Sequence, residues 1–240
     1  ARQIGPGTDG RVERVAAEVA AGLPTAVTIA VEVDAETGDR LETGPAARLA
    51  LALQSPIFRP YVSDDLIGVE IGGALKNVIA IACGVAEGLA LGANMRAALI
   101  TRGLEEMKRL SEAMGGERET VTGLAGLGDL ALTCASDLSR NLRYGKQLAE
   151  TGERTLNLAG KPTVIEGAPN AISVTDLARA NGLALPICEA VRAMVHEGAE
   201  PRESLEAIWA KGIETEGGAK APPPEPAVMP GALRRTMSRR

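Results

Sequence analysis

Glu70-Ile71-Gly72-Gly73-Ala74-Leu75-Lys76-Asn77 lies in the middle of an apolar stretch whose only charges between Ile67 and Ala86 are Glu70 and Lys76. The length and apolar character of residues 66 to 90 predict a helix buried on most of its circumference. An ammonium in such a helix must pair or shed its proton, because burying it alone is costly. One explanation is structural, with Lys76 paired to Glu70 or to a distant acid; another is chemistry. A bilayer span of about 20 residues is the remaining alternative. Two charges near the middle, each costing about 2.5 to 3.5 kcal/mol on insertion scales, argue against it, as does Asn77. No integral membrane segment is expected.

Working outward, the character of the chain changes twice. Upstream, residues 11 to 21 have helical spacing, Thr25 to Val33 (TAVTIAVEV) is a β-branched run, and Gly44 to Gln54 reads as a helix. Phe58 to Val62 reads as a short strand that Pro60 confines to an edge or an end. After Ser63-Asp64-Asp65, a cluster of good capping types, every segment looks helical: 66–90, 94–114, 129–135, 139–150, 168–181, 186–197 and 201–211. From Gly212 the Pro-rich run Ala221 to Pro226 and the basic end read as a disordered tail. The expected organisation is an α/β segment over 1–65, a helical domain over 66–211 and a tail over 212–240.

With 45% hydrophobic residues, 240 residues can build a real core. The net charge of −5 and pI near 5.2 offer no basic patch for nucleic acid, so none is expected as a partner. Cys83, Cys134 and Cys188 are odd in number and set in apolar surroundings, which reads as reduced core cysteines of a cytoplasmic protein. His196 is the only histidine and no Cys-x-x-Cys occurs, so no metal site is expected. The amino terminus lacks the features of a signal peptide.

Three glycine or polar clusters bear on chemistry. Gly5-Pro6-Gly7-Thr8-Asp9-Gly10 fits G-x-G-x-x-G, but only four residues stand before it where a dinucleotide fingerprint needs a feeding strand. In Thr122 to Thr133 (TGLAGLGDLALT), glycines allow close backbone approach before Asp129 begins a helix and shares a face with Thr133. The plain alternative for Asp129 is a helix cap. Ser139-Arg140-Asn141 opens another helix, with Arg143 and Lys146 following. Side-chain donors at a helix amino terminus make an anion site suited to a phosphate, the alternative being a capped surface helix.

These residues together resemble a family. The runs from GVEIGGALKN to TRGLEEM, then TGLAGLGDLALTC, SDLSRNLRYGKQL and VIEG, are similar to the carboxy-terminal half of bacterial NAD(P)-dependent glycerol-3-phosphate dehydrogenases, from about Glu18 to Trp209. The family reduces dihydroxyacetone phosphate to sn-glycerol 3-phosphate for glycerophospholipid synthesis, using a Rossmann domain followed by a helical substrate domain. The resemblance implies a mainly α fold, preceded by a remnant of an α/β Rossmann-type domain. It implies Lys76 as the general acid/base at the C2 oxygen, with Asp129 orienting it. Asn77, Thr133, Ser139, Arg140 and Asn141 would hold the substrate, and Arg140, Val164 and Glu166 would face NAD or NADP. Most of the Rossmann domain has no counterpart, so the cofactor site is incomplete in this chain and a truncated member is expected. Gly-Pro-Ser-Phe-Ala of the family is replaced by Val12 to Ala16 (VERVA), and Ala168-Pro169-Asn170 departs from the usual pattern. Long helices rich in small apolar residues fit a homodimer. The competing reading is a catalytically silent helical module that binds a phosphorylated ligand or a partner subunit.

Overall fold

A computed structural model describes residues 25–30, 44–158 and 161–209. The helix expected at 11–21, the glycine cluster at 5–10 and the 212–240 tail lie outside the described residues. Two strands, β1 (Thr25–Ala30) and β2 (Phe58–Ser63), flank helix α1 (Pro45–Leu53) and pair in parallel, in register from Thr25↔Phe58 to Ala30↔Ser63. Pro60 faces Val27. Among the described residues the sheet has two strands.

Most of the described helices after β2 pack on α2 (Leu66–Gly88). Its neighbours are α3 (Gly92–Ala113), α4 (Arg118–Thr122), a π-helical turn (Leu124–Gly128), α5 (Asp129–Ala135), α6 (Arg140–Thr151), α7 (Gly167–Ala180) and α8 (Pro186–Arg192). A second π-helical turn (Ala193–Glu197) and α9 (Pro201–Trp209) follow, and a two-residue antiparallel pair, β3 (Asn157–Leu158) and β4 (Lys161–Pro162), links α6 to α7. Residues Val78 to Cys83 of α2 are wholly buried, as are Leu99, Met107, Leu110, Leu130, Ile187 and Met194 around them. By length and hydropathy α2 also qualifies as a span, but more than half of its apolar window is buried by the surrounding helices. The helix expected at 186–197 ends its α form at Arg192 and widens into the π-helical turn before Gly198, whose φ of 79° stops it.

Asp65 starts α2. Its carboxylate accepts the Gly68 N–H at 2.7 Å and, from a separate segment, the Glu117 N–H at 2.8 Å. Burial pushes the carboxyl up, but these bonds and one from the Thr120 hydroxyl outweigh it and hold it below the ordinary value of 3.8. A depressed acid stabilises the fold above its ordinary range and loses that contribution as pH falls through the folded value. Asp65→Ala is expected to cost about 1 to 3 kcal/mol, combining a lost cap with a second orphaned N–H. Urea unfolding at neutral pH measures it, and an unchanged midpoint would remove Asp65 from this role.

Glu106 does the same for α8 from 80 residues away. Leu185, the residue before α8, supplies no side-chain cap. The buried Glu106 carboxylate on α3 accepts the Ile187 N–H at 2.7 Å and the Cys188 N–H at 3.2 Å instead. Burial raises its carboxyl from 4.5 to about 7, against the pull of those two N–H groups and of Arg109. The folded chain therefore binds a proton that the unfolded chain has released between those values, so stability falls as pH rises across that window and levels off above it. The full effect is at most about 3 kcal/mol. Glu106→Gln is expected to flatten the pH 5 to 8 slope in urea unfolding; an equal slope in parent and variant would assign the pH dependence elsewhere.

Candidate active site

Consecutive residues on a helix point about 100° apart, so Lys76 and Asn77 face different neighbours. Lys76 turns toward α5 and Asn77 toward α6 and α7. On the first side, Gly72 and Lys76 are one turn apart, as are Ala125 and Asp129. A Cβ on Gly72 would lie 2.6 Å from the Ala125 carbonyl oxygen, so the backbones touch there. One turn on, Lys76 Nζ meets Asp129 Oδ2 at 2.5 Å. The π-helical turn makes this possible: Gly126 packs on Val121 where a Cβ would come within 1.8 Å of its carbonyl oxygen. The Lys76 side chain is 13% exposed and that of Asp129 4%, so the carboxylate is enclosed and the lysine side chain is only slightly open to solvent. Lys76 thus pairs with a distant acid, and exposed Glu70 plays no part in that bond. Asp129 is not a cap; Gly128 before it is already helical and the Asp129 carboxylate is turned to Lys76. The Thr133 hydroxyl donates to the Asp129 carbonyl at 2.6 Å, which keeps it in the same corner.

The second side is a chain of hydrogen bonds. Asn141 Nδ2 donates to Asn77 Oδ1 at 3.0 Å, and Asn141 Oδ1 accepts the Gly167 N–H at 2.9 Å. Asn77 Nδ2 donates to the Gly73 carbonyl at 3.2 Å and to Glu166 Oε2 at 3.3 Å. Arg140 Nη2 donates to Glu166 Oε1 at 2.9 Å. Seven of the residues singled out in the sequence thus fall into two sets that start from consecutive residues of α2: Lys76 with Asp129 and Thr133, and Asn77 with Asn141, Arg140 and Glu166.

Two do not join the network. Ser139 is buried and its hydroxyl accepts the Leu142 N–H at 3.2 Å, capping α6. Val164 is 71% exposed beside Glu166, an apolar side chain facing solvent. Two supporting groups escaped the sequence reading. Asn170 Nδ2 donates to the Ala74 carbonyl at 3.2 Å, tying α7 to the turn of α2 that carries Lys76. Gly167 must be glycine-sized because a Cβ there would lie 2.5 Å from the Asn77 carbonyl oxygen. Asn170 stood in the unorthodox Ala168-Pro169-Asn170 segment, and Gly167 in VIEG; neither contact has a local sequence signal.

Chemically, the two sets offer an ammonium held by an enclosed carboxylate and a guanidinium with two carboxamides. The first can give a proton to, or take one from, a bound oxygen; the second can hold an oxyanion. Arg140 and Glu166 form a partly exposed ion pair, and Val164, two residues before Glu166, is exposed.

Residues 65–206 match the model of the NAD-dependent glycerol-3-phosphate dehydrogenase C-terminus. The chain is 49% identical over 199 residues to the NAD(P)+ glycerol-3-phosphate dehydrogenase of Novosphingobium aromaticivorans, covering 83% of this chain and 58% of that protein. It is 44% identical over 220 residues to enzyme 1 of the same name from Sphingopyxis alaskensis, covering 90% and 64%. The crystal structure of glycerol-3-phosphate dehydrogenase from Coxiella burnetii superposes with a TM-score of 0.69 at 42% identity, over 81% of this chain and 57% of that one. The enzyme from Saccharomyces cerevisiae superposes with the same TM-score at 27% identity, over 80% and 56%. The chain thus spans little more than half the length of the relatives it matches. With the family model covering the whole helical stretch from the capping Asp65 into the last helix, this chain belongs to the NAD-dependent glycerol-3-phosphate dehydrogenase family, in the part that forms the carboxy-terminal domain.

Proposed function

We propose that this chain supplies the substrate half of an NAD(P)-dependent sn-glycerol-3-phosphate dehydrogenase. The observation that carries the reading is the pairing of Lys76 with enclosed Asp129 immediately beside the Arg140, Asn77 and Asn141 donors. Bound NADH or NADPH supplies the hydride. The chain's residues do the rest: Arg140 and Asn141, at a helix amino terminus capped by Ser139, grip the substrate phosphate. Asn77 and Thr133 line the polar pocket between phosphate and carbonyl. Lys76 Nζ then gives its proton to the C2 oxygen of dihydroxyacetone phosphate, and Asp129 holds the amine in line. Binding energy from the remote phosphate positions the carbonyl for transfer. Arg140, Val164 and Glu166 border the cofactor.

In this reading residues 1–65 are the end of the dinucleotide-binding domain, 66–211 the substrate domain and 212–240 a tail. The chain works in the cytoplasm, as three buried free cysteines suit, and as a helical homodimer. The second reading, a catalytically silent module that binds a phosphorylated ligand, draws on the Arg140 and Asn141 donors, which can hold an anion without any proton transfer from Lys76.

The test mixes the purified chain with NADH or NADPH and dihydroxyacetone phosphate and follows loss of the reduced nicotinamide. For the chain alone, stabilisation by sn-glycerol 3-phosphate that Arg140→Ala abolishes is the expected result, with turnover appearing once a dinucleotide-binding domain is supplied. Stabilisation without turnover even then would favour the silent module. Neither turnover nor ligand-dependent stabilisation would refute both.

A further inference from the structure

We propose that Glu166 acts as an internal competitor for the anion seat, so that a ligand phosphate must displace its carboxylate to take the Asn77 amide and the Arg140 Nη2 donor that it occupies. The inference rests on the substrate-site reading above and concerns what sets affinity there.

The two oxygens of one carboxylate take one N–H of Arg140 and one of Asn77, donors that a phosphate would also use. Glu166 Oε1 accepts from Arg140 and Oε2 from Asn77. Asn77 has two amide hydrogens, one engaged by the Gly73 carbonyl and one by Glu166. No hydrogen is left for a ligand oxygen until Glu166 moves. Asn77 cannot turn to find another, because its Oδ1 is fixed by Asn141, itself fixed by the Gly167 N–H.

The carboxylate is not there to build the helix behind it. Glu166 directly precedes α7 but makes no side-chain cap. Its side chain is 20% exposed and that of Arg140 34%, so the pair sits at the rim, where it can open without exposing core. Charge adds to the effect: the Glu166 carboxylate offsets the Arg140 guanidinium, so an arriving dianion meets a like charge beside the cation it seeks. Apparent affinity is then lowered by the fraction of molecules whose Arg140–Glu166 pair is closed.

The test is calorimetric titration of the full chain with inorganic phosphate and, separately, with sn-glycerol 3-phosphate. The parent is compared with Glu166→Gln and Glu166→Ala, thermal melting confirming that each is folded. The expected result is binding about three- to tenfold tighter to both anions in both variants, the size set by breaking a rim ion pair and removing a like charge. The gain should vanish when Arg140→Ala is added. Variants that bind as the parent does, or more weakly, overturn the competitor while leaving the site reading intact. An absence of binding by any form, parent included, overturns both.

Discussion

Lys76→Met is expected to lower turnover of dihydroxyacetone phosphate by about 10² to 10⁴-fold, the range contributed by a positioned general acid. The same change should cost about 3 to 5 kcal/mol of stability, because it strands the enclosed Asp129 carboxylate without its cation. These two losses have different causes and separate in a double variant. Lys76→Met with Asp129→Leu removes the buried charge along with its partner, and replacing both members of such a pair by apolar groups is often neutral. Stability should therefore return in the double variant while turnover does not. Denaturant unfolding and the reduced-nicotinamide assay on all three proteins decide the matter. Turnover within tenfold of the parent in Lys76→Met, or its recovery in the double variant, would leave Lys76 a structural lysine. Affinity for sn-glycerol 3-phosphate should change little in the double variant, since Asn141 bonds to Asn77 and Arg140 to Glu166, not to the Lys76–Asp129 pair.

The sequence made α2 legible because a long apolar run with two charges has few soluble solutions, and because Ser63-Asp64-Asp65 marks its start. Helix α6 was equally plain, with Ser139 as its cap and Gly152, at φ 73°, as its stop. What was not legible depends on segments distant in the chain. Glu106 capping α8 cannot be inferred from either segment, since each reads as ordinary helix and the bond exists only once they pack. The π-helical turn at Leu124–Gly128 was hidden too, because its glycines read as a loop. The turn is needed only because Gly126 must settle on Val121 for Asp129 to arrive opposite Lys76. For the site, the residue types were visible and the wiring was not. Asp129 reads locally as a cap, and only the neighbouring α2 makes it an ion-pair partner. Glu166 and Arg140, 26 residues apart, give no sign in sequence that they pair.

Gly145→Ala and Gly84→Ala should each destabilise the chain by about 3 kcal/mol or more, although alanine is the better helix former by about 1 kcal/mol. Helices α2 and α6 run side by side in matched steps of one turn, from Asn77 against Asn141 to Ile81 against Gly145. A Cβ on Gly145 would lie 2.1 Å from the Ile81 carbonyl oxygen, and one on Gly84 2.0 Å from that of Leu142. Both obstacles are backbone, so no side-chain rotation relieves them, and the helices must separate. Separation lengthens the Asn77–Asn141 bond one turn away, so surviving folded molecules should bind phosphate more weakly. Gly73→Ala is the control on the same helix. Nothing lies within 4 Å of its Cβ position, so the helix-propensity gain is unopposed and stability should rise by about 1 kcal/mol. Urea midpoints for the three variants measure the contrast. If Gly145→Ala unfolds with the parent, or Gly73→Ala falls with Gly145→Ala, close contact between α2 and α6 does not hold the anion-binding side of the site in place.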